Sequence, residues 1–191
     1  MPRAGLTPER VAREAADVAD ELGFDRLTLA AVAQRLGVRL PSLYKHIDSL
    51  DGLRRDVAVL GTVQLTQAIT DAAVGRSGEA ALHALATAYR DFARGHPGRY
   101  AASVRAPDPG DAEHVKAADA ALRIVLAVLA GYGLTGEDAI DATRSLRAAL
   151  HGFVTLEAAG GFGMPRDVDR SFDRFLTSFD TTVRNWSGRT R

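Results

Sequence analysis

The sequence predicts an all-α fold in which a three-helix head with a helix-turn-helix is joined by a long helix to an α-helical body. Two stretches carry this prediction. Residues 27–47, LTLAAVAQRLGVRLPSLYKHI, place apolar side chains at helical spacing on both sides of Gly37, which predicts two short helices around a tight turn. Near the other end of the chain, residues 172–186 carry an apolar stripe with the period of a buried helix face.

The composition of the 191-residue chain restricts the classes of protein to consider. Its 24 basic and 24 acidic residues cancel, so any affinity for nucleic acid must come from a local patch. Cysteine is absent, which excludes disulfides and thiolate chemistry. No apolar run reaches the roughly 18 residues of a membrane span, and residues 1–10 lack the apolar core of a signal peptide. We therefore expect a cytoplasmic protein that uses neither a membrane, nor a metal, nor another cofactor.

The first helix of the head is predicted to follow a short arm, residues 1–6, in which Arg3 is available for a phosphate or minor-groove contact. Thr7 is suited to the N-cap and Pro8 to the first turn, where a missing N–H costs nothing. Gly23 ends the helix. One face of it is apolar, at Val11, Ala15, Val18 and Leu22. This face supplies the support that two shorter helices need, because helices of that length are unstable alone.

The two short helices of the head have clear local signals. Thr28 is a plausible N-cap for the first, Gly37 occupies a turn that favours positive φ, and Pro41 suits the first turn of the second. The polar residues of the second helix are then left on or near its outer face: Ser42, Tyr44, Lys45 and His46. An alternative is that Tyr44 belongs partly to the core.

The charge pattern of this region favours contact with phosphates. No Asp or Glu occurs between Asp25 and Asp48. The same interval contains four cations and a histidine, at Arg26, Arg35, Arg39, Lys45 and His46. A basic window without acids on a neutral protein suits a DNA-binding surface. The alternative is a helical hairpin whose charges are only solvated.

The rest of the chain is predicted to form five further helices, with Asp48 and Ser49 capping the first of them. Their ranges are 49–73, 78–95, 111–131, 135–159, where Thr135 is the N-cap, and 167–186. A turn around 97–105 is expected after the Gly/Pro-rich segment 95–98, and a loop at 106–111. The domain division that follows is a DNA-binding head at 1–48 and an α-helical body at 49–191, which the family resemblance given below implies is an effector-binding and dimerisation domain.

The apolar stripe of the last helix has two interpretations. It is too continuous to be left in water, so it must be covered. In the favoured interpretation it pairs with a second copy of the chain, with interface residues Phe172, Phe175, Phe179 and Val183. In the other, it closes the core of its own protomer.

The run LTLAAVAQRLGVRLPSLYKHI resembles the helix-turn-helix of TetR-type (tetracycline-repressor-like) transcription regulators, and the segments HPGRY (96–100) and HGFVTLE (151–157) resemble their WHG-type effector-binding body. The resemblance implies a homodimer that binds operator DNA and a body that binds a small-molecule effector. Two positions depart from the family pattern. Leu50 stands where many relatives have a Lys that binds phosphate, and Arg54 or Arg55 is a candidate to replace that Lys. Arg147 stands in place of the tryptophan of the WHG motif.

The DNA-binding candidates divide by the chemistry of their side chains. Arg39 and Ser42 are expected at base edges, since arginine can bind guanine bidentately in the major groove. Phosphate contacts are expected from Thr28, Tyr44, Lys45 and His46. Leu40 and Pro41 are placed to touch a thymine methyl group.

The body offers aromatic and polar side chains for an effector. Those singled out as ligand-binding are Tyr89, Phe92, Tyr100, Arg147 and His151, with Tyr132, Arg144 and Phe153 as further candidates. The effector itself is not indicated by the sequence.

The competing function classes are weaker. The five histidines form neither HExxH nor ExxH, and no GxSxG elbow or phosphate loop occurs, which argues against an enzyme. The acids of segment 108–113 fall at a helix start, where acids act as caps. The best alternative to a ligand-released repressor is a helical ligand-binding protein without DNA-binding activity.

Overall fold

The computed structural model describes residues 5–186, and these are all-helical, as predicted. The helices are α1 (Pro8–Leu22), α2 (Leu29–Leu36), α3 (Leu40–Leu43), α4 (Leu50–Ala73), α5 (Gly78–Gly95), α6 (Pro97–Ser103), α7 (Ala112–Ala130), α8 (Gly136–Ala158) and α9 (Val168–Arg184). A 3-10 turn, Phe24–Arg26, follows α1. The predicted role of Arg3 lies outside the described residues.

The described chain divides into two compact units. The first comprises residues up to 65 together with 95–118, and the second comprises 66–94 together with residues from 119 onward. The functional division into a head at 1–48 and a body at 49–191 stays a prediction.

The local signals that begin and end the helices of the first unit act as predicted. The Thr7 hydroxyl accepts a hydrogen bond from the N–H of Arg10, and the Thr28 hydroxyl accepts one from Ala31. Ser49 caps α4 by accepting from the N–H of Gly52 at 2.9 Å. Gly37 has φ of 67°, so the reversal between α2 and α3 uses the left-handed conformation that glycine adopts without strain.

A small apolar core holds α1, α2 and α3 together. Its buried side chains include Val11, Ala15 and Val18, which were predicted on the apolar face of α1, and Val32, Ala33, Leu43 and Ile47 of the stretch 27–47. Leu22 is an exception, because it is exposed at the last turn of α1. The core continues into α4 through Leu53 and Val57. Each buried branched side chain contributes on the order of 2 kcal/mol, which compensates for the weak intrinsic stability of the short helices.

The predicted turn at 97–105 is wrong: residues 97–103 form α6. Pro97 stands in the first turn of this helix, where it favours helix initiation instead of breaking a helix. Helix α6 packs against α1, and a Cβ atom at Gly98 would overlap the backbone of Ala19. On its other side, a Cβ at Gly61 of α4 would lie 2.5 Å from the carbonyl oxygen of Arg99. Because both positions are glycine, the backbone of α6 can contact the backbones of α1 and α4 directly.

The second unit has its own core. It is built from leucines and phenylalanines of α5, α7, α8 and α9, among them Leu82, Leu85, Leu129, Leu146, Leu150, Phe172 and Leu176. The predicted N-cap position of α8 is correct, although the side chain of Thr135 makes no capping hydrogen bond. Within residues 5–186, no helix combines the length and hydropathy that a bilayer span requires.

Candidate nucleic-acid interface

Helix α3 is held in place from one side only. It has four residues and no side-chain cap, so its position depends on packing. Leu43 and Ile47 are buried in the core of the first unit, and the N–H groups of His46 and Ile47 both donate to the carbonyl of Leu43. The opposite face of α3 is open to solvent. An exposed helix face that is supported from behind is what entry into a DNA groove requires.

The predicted DNA-binding residues surround this open face. Arg39, Leu40, Pro41, Tyr44, Lys45 and Thr28 are exposed, and Ser42 and His46 are half-buried. Tyr44 is 55% exposed, so the alternative in which it belongs partly to the core is not supported. Thr28 accepts a hydrogen bond from the N–H of Ala31 at 3.2 Å, which leaves its hydroxyl proton free for another acceptor.

The cations near α3 differ in their surroundings. Within residues 5–186, no carboxylate lies at ion-pair distance from Arg39 or Lys45. Arg35, by contrast, points to α1, where its Nε lies 3.0 Å from Glu14 and its Nη1 lies 2.7 Å from Glu21. The hydrogen bonds to Glu21 and Glu14 raise the pKa of Arg35. The basic window therefore leaves Arg39 and Lys45 available to DNA, while Arg35 is already paired with carboxylates of α1.

The start of α4 corrects the expectation for Arg55. Its guanidinium donates from Nε and Nη2 to the two oxygens of Asp111, both at 2.6 Å, and it also pairs with Asp56 and Glu113 at 2.8 Å. Hydrogen bonds from Arg55 and from a backbone N–H of α7 hold the pKa of Asp111 well below its usual range. Arg55 is thus committed to joining α4 to α7. Arg54 has weaker contacts, 3.8 Å from Asp51 and 3.4 Å from the carbonyl of Asp25, and its contact with a phosphate stays a prediction.

The predicted ligand-binding residues do not lie at one described cavity. In the second unit Phe92 is buried, Tyr89 and His151 are half-buried, and Arg147 is exposed. Tyr100 belongs to α6 in the first unit. A cavity of about 220 Å³ is present in the second unit, lined by Thr70, Ala73, Val74, Arg76, Ser77, Ala81, Ile124, Ala127, Val128 and Gly131. None of the predicted ligand residues lines it.

A buried arginine lies at the centre of the second unit. Arg90 of α5 donates to the two oxygens of Glu157 at 2.8 and 2.5 Å and lies 2.8 Å from Asp169. The centre of its guanidinium is 5.4 Å from the ring centroid of Phe153 and 4.7 Å from that of Phe172. The hydrogen bonds to Glu157, opposed by burial and aided by Asp169, raise the pKa of Arg90. This cation therefore joins α5, α8 and the beginning of α9.

Most of the apolar stripe of α9 is covered by other residues of the same chain. Phe172, Phe179 and Val183 are buried within the chain itself, and Phe175 is half-buried. The stripe thus closes the core of its own protomer, and little of these side chains is left for a second copy. Their assignment to a dimer interface stays a prediction, and the surface that α9 leaves exposed consists mainly of Ser, Thr, Asp and Arg.

Comparison with known proteins places the chain in a family. A sequence model described as "Tetracyclin repressor-like, C-terminal domain" matches residues 82–179. An uncharacterised HTH-type transcriptional regulator of Mycobacterium tuberculosis is 42% identical over 82% of this chain and 72% of its own length. The uncharacterised HTH-type transcriptional regulator YobS of Bacillus subtilis is 36% identical over 93% of both chains. The chain belongs to the tetracycline-repressor-like (TetR) family of transcription regulators.

Solved structures agree with the fold of a TetR-family regulator. The structure of BioQ with its natural double-stranded DNA operator superposes with a TM-score of 0.69, covering 94% of this chain and 99% of that one, at 17% identity. Family membership confirms the resemblance read from the helix-turn-helix, and it confirms that the chain is a regulator and not an enzyme. In the part of the chain that the structure describes, no group of His, Asp and Glu could hold a metal ion.

Two buried arginines have no role in the sequence-based analysis, and Asp111, expected there only as a cap at a helix start, has a second role. Arg90 and Arg99 are buried, and Asp111 is the partner of Arg55. For Arg90 a signal exists: it lies four residues after Ala86, on the apolar face of α5, where a cation requires a partner. For Arg99 and Asp111 no local pattern indicates the partner.

Proposed function

We propose that this TetR-family regulator binds palindromic operator DNA as a homodimer, that a small-molecule effector releases it, and that it acts as a repressor in the cytoplasm. The observation that carries this proposal is the open face of α3. It presents two cations that pair with no carboxylate among the described residues, while buried Leu43 and Ile47 hold the helix from behind. This arrangement suits insertion into the major groove.

The contacts to DNA are proposed from the position of each side chain. Arg39, at the N-terminus of α3, and Ser42 read base edges, since the N-terminal residues of a recognition helix approach the floor of the groove. Thr28, Tyr44, Lys45 and His46 contact phosphates. Leu40 and Pro41 contact a thymine methyl group.

A second copy of the chain is needed for specificity. A four-residue recognition helix reads only a few base pairs, whereas two copies related by a two-fold axis read both halves of a palindrome. The operator in the BioQ structure supports DNA as the partner of this fold. We assign the dimer contact to the side of α8 on which Ser145 and Ala148 are exposed and Gly152 is half-buried, since these three small residues permit close helix packing.

The effector is proposed to bind the second unit. Tyr89, Phe92, Arg147 and His151 all belong to that unit, and they combine aromatic surface with hydrogen-bonding groups. Release then follows if the effector binds more tightly to a conformation that does not fit the operator. Tyr100 lies in the first unit, and its contact with an effector stays a prediction.

The DNA-binding proposal is tested by affinity for a duplex selected in vitro, measured by gel shift over a range of salt concentrations. We expect log affinity to fall steeply with log salt, because phosphate contacts release counterions. Lys45→Ala should weaken binding to all sequences and reduce the slope by about 1. Lys116→Ala is the matched control, because Lys116 is the only other lysine of the sequence and is exposed on α7. If the wild-type protein ignores every duplex in dilute buffer, the alternative of a ligand-binding protein without DNA-binding activity is favoured.

The dimer proposal is tested at Ala148, which is exposed on α8. Ala148→Arg should produce monomers, because a long cation at a close helix contact prevents packing. Operator affinity should then fall roughly a hundredfold, as the second half-site no longer benefits from linkage. Sedimentation velocity reports the first effect and gel shift the second. Ala80→Arg, at an exposed position of α5, is the control. A dimer that persists in Ala148→Arg would remove this face of α8 from the interface.

A further inference from the structure

Helix α1 carries a cluster of carboxylates that faces two other helices. Glu14, Asp17, Asp20 and Glu21 lie within its last three turns. Arg35 of α2 contacts three of them, and Arg99 of α6 contacts two. All these residues belong to the first unit. The cluster therefore joins the DNA-binding hairpin to α6 through charges on one intervening helix.

The contact between α6 and α1 is close and buried. The Arg99 guanidinium donates from Nη2 to Asp17 and from Nη1 to Asp20, and its backbone N–H donates to Asp20 Oδ1 at 2.8 Å. Only 10% of the Arg99 side chain and 13% of the Asp20 side chain are exposed. The absence of a side chain at Gly98 permits this approach. Charge-assisted hydrogen bonds in such a setting are directional, so they fix the position of α1 along α6 as well as holding it there.

Asp17 is the residue that links the two arginines. One of its oxygens accepts from Arg99, and the other lies 3.9 Å from Arg35 Nη2. Arg35 also pairs with Glu14 and with Glu21, but 61% of the Glu21 side chain is exposed, so the Glu21 pair contributes little. A continuous series of charged contacts therefore runs from α6, through Asp17, to α2, the helix that precedes α3 and packs against it.

We propose that Arg99 is a positioning residue for operator binding, acting through Asp17 and Arg35 to set the orientation of the α2–α3 hairpin on α1. The proposal rests on the DNA-binding function proposed above. Arg99 does not touch DNA. It fixes the carboxylate that faces Arg35, so that α3 is presented in one orientation. Small errors in the position of a recognition helix weaken every contact that it makes, since base-edge hydrogen bonds depend strongly on geometry.

Asp17→Asn tests this link, and Glu21→Gln is its matched control. Each variant removes one negative charge of α1 that faces Arg35, but only Asp17 also contacts Arg99. Removing a negative charge by itself attracts DNA more strongly, so Glu21→Gln should bind a selected operator as tightly as wild type or more tightly. We expect Asp17→Asn to bind it roughly tenfold more weakly, with an unchanged salt slope, because the number of phosphate contacts is the same.

The outcomes separate this inference from the proposed function. If wild type binds the operator and Asp17→Asn binds as tightly as Glu21→Gln, the positioning role is overturned while the DNA-binding function stands. Arg99→Lys, which keeps the charge but cannot donate in the same fork, should weaken affinity in the same way as Asp17→Asn. If wild type binds no duplex, the proposed function fails, and amide hydrogen exchange then tests whether Asp17 couples Arg99 to the α2–α3 hairpin. Faster amide exchange in residues 29–43 of Asp17→Asn than of Glu21→Gln supports the coupling, and equal exchange overturns it.

Discussion

Gly98→Ala is expected to destabilise the first unit by roughly 3 kcal/mol or more, at the upper end of what overpacking usually costs. The reason is the backbone contact between α6 and α1. A Cβ atom at position 98 would occupy the space of the Ala19 carbonyl group, and neither partner is a flexible side chain that could turn away. The two helices must therefore separate, which also pulls Arg99 from Asp17 and Asp20. Urea unfolding followed by circular dichroism measures the loss.

Gly95→Ala is the control for this prediction. Gly95 is the last residue of α5, and a Cβ built there meets no atom within 4 Å. Alanine is favoured over glycine in a helix, so this variant should be as stable as wild type or slightly more stable. If the free energies of unfolding of Gly98→Ala and Gly95→Ala differ by less than about 0.5 kcal/mol, the backbones of α6 and α1 are not in direct contact. The proposed positioning by Arg99 then loses its geometric basis.

The elements of the helix-turn-helix could be read from the sequence because their signals are local. Thr7, Thr28 and Ser49 cap helices within three residues of themselves, and Gly37 ends α2 by its own conformation. The apolar period identified the buried faces for the same reason. Helix α6 was not predicted, because a Gly/Pro-rich segment has the same local appearance whether it ends one helix or begins the next. Whether this segment forms a turn or a helix depends on the packing of α6 against α1, and residues 95–103 by themselves carry no information on that packing.

The polar contacts that organise the two units could not be read from the sequence. Arg99 and Asp17 are 82 residues apart in the chain, and Arg55 and Asp111 are 56 apart. A charged residue in a helix does not indicate its partner until the fold brings the two together. This is why Arg55 was considered, as an alternative to Arg54, for a phosphate contact and is found paired with Asp111. The same limit applies to α9: its period shows that Phe172 must be covered, but not whether its own chain or a copy covers it.

The buried cation of the second unit supplies the other large effect. Arg90→Met should destabilise the protein by about 3 to 5 kcal/mol, because it leaves the largely buried Glu157 without its partner. Arg90→Met combined with Glu157→Leu should recover most of the loss, since two apolar side chains of similar size replace the pair without an uncompensated charge. Thermal or urea unfolding of the two single variants and the double variant gives the coupling between them. Arg144→Met, at an exposed pair with Asp141, is the control and should change stability by less than about 0.5 kcal/mol.

The same pair predicts how stability depends on pH. The hydrogen bonds from Arg90 lower the pKa of Glu157 from its ordinary value of 4.5, although burial opposes the shift. A carboxyl group whose pKa is lower in the folded state contributes stability above its unfolded pKa and loses it as the pH falls through the folded pKa. Wild type should therefore lose more stability than Arg90→Met between about pH 5 and about pH 3. Parallel losses in the two proteins would mean that Arg90 and Glu157 do not form a buried ion pair, and the recovery expected in the double variant would then be absent as well.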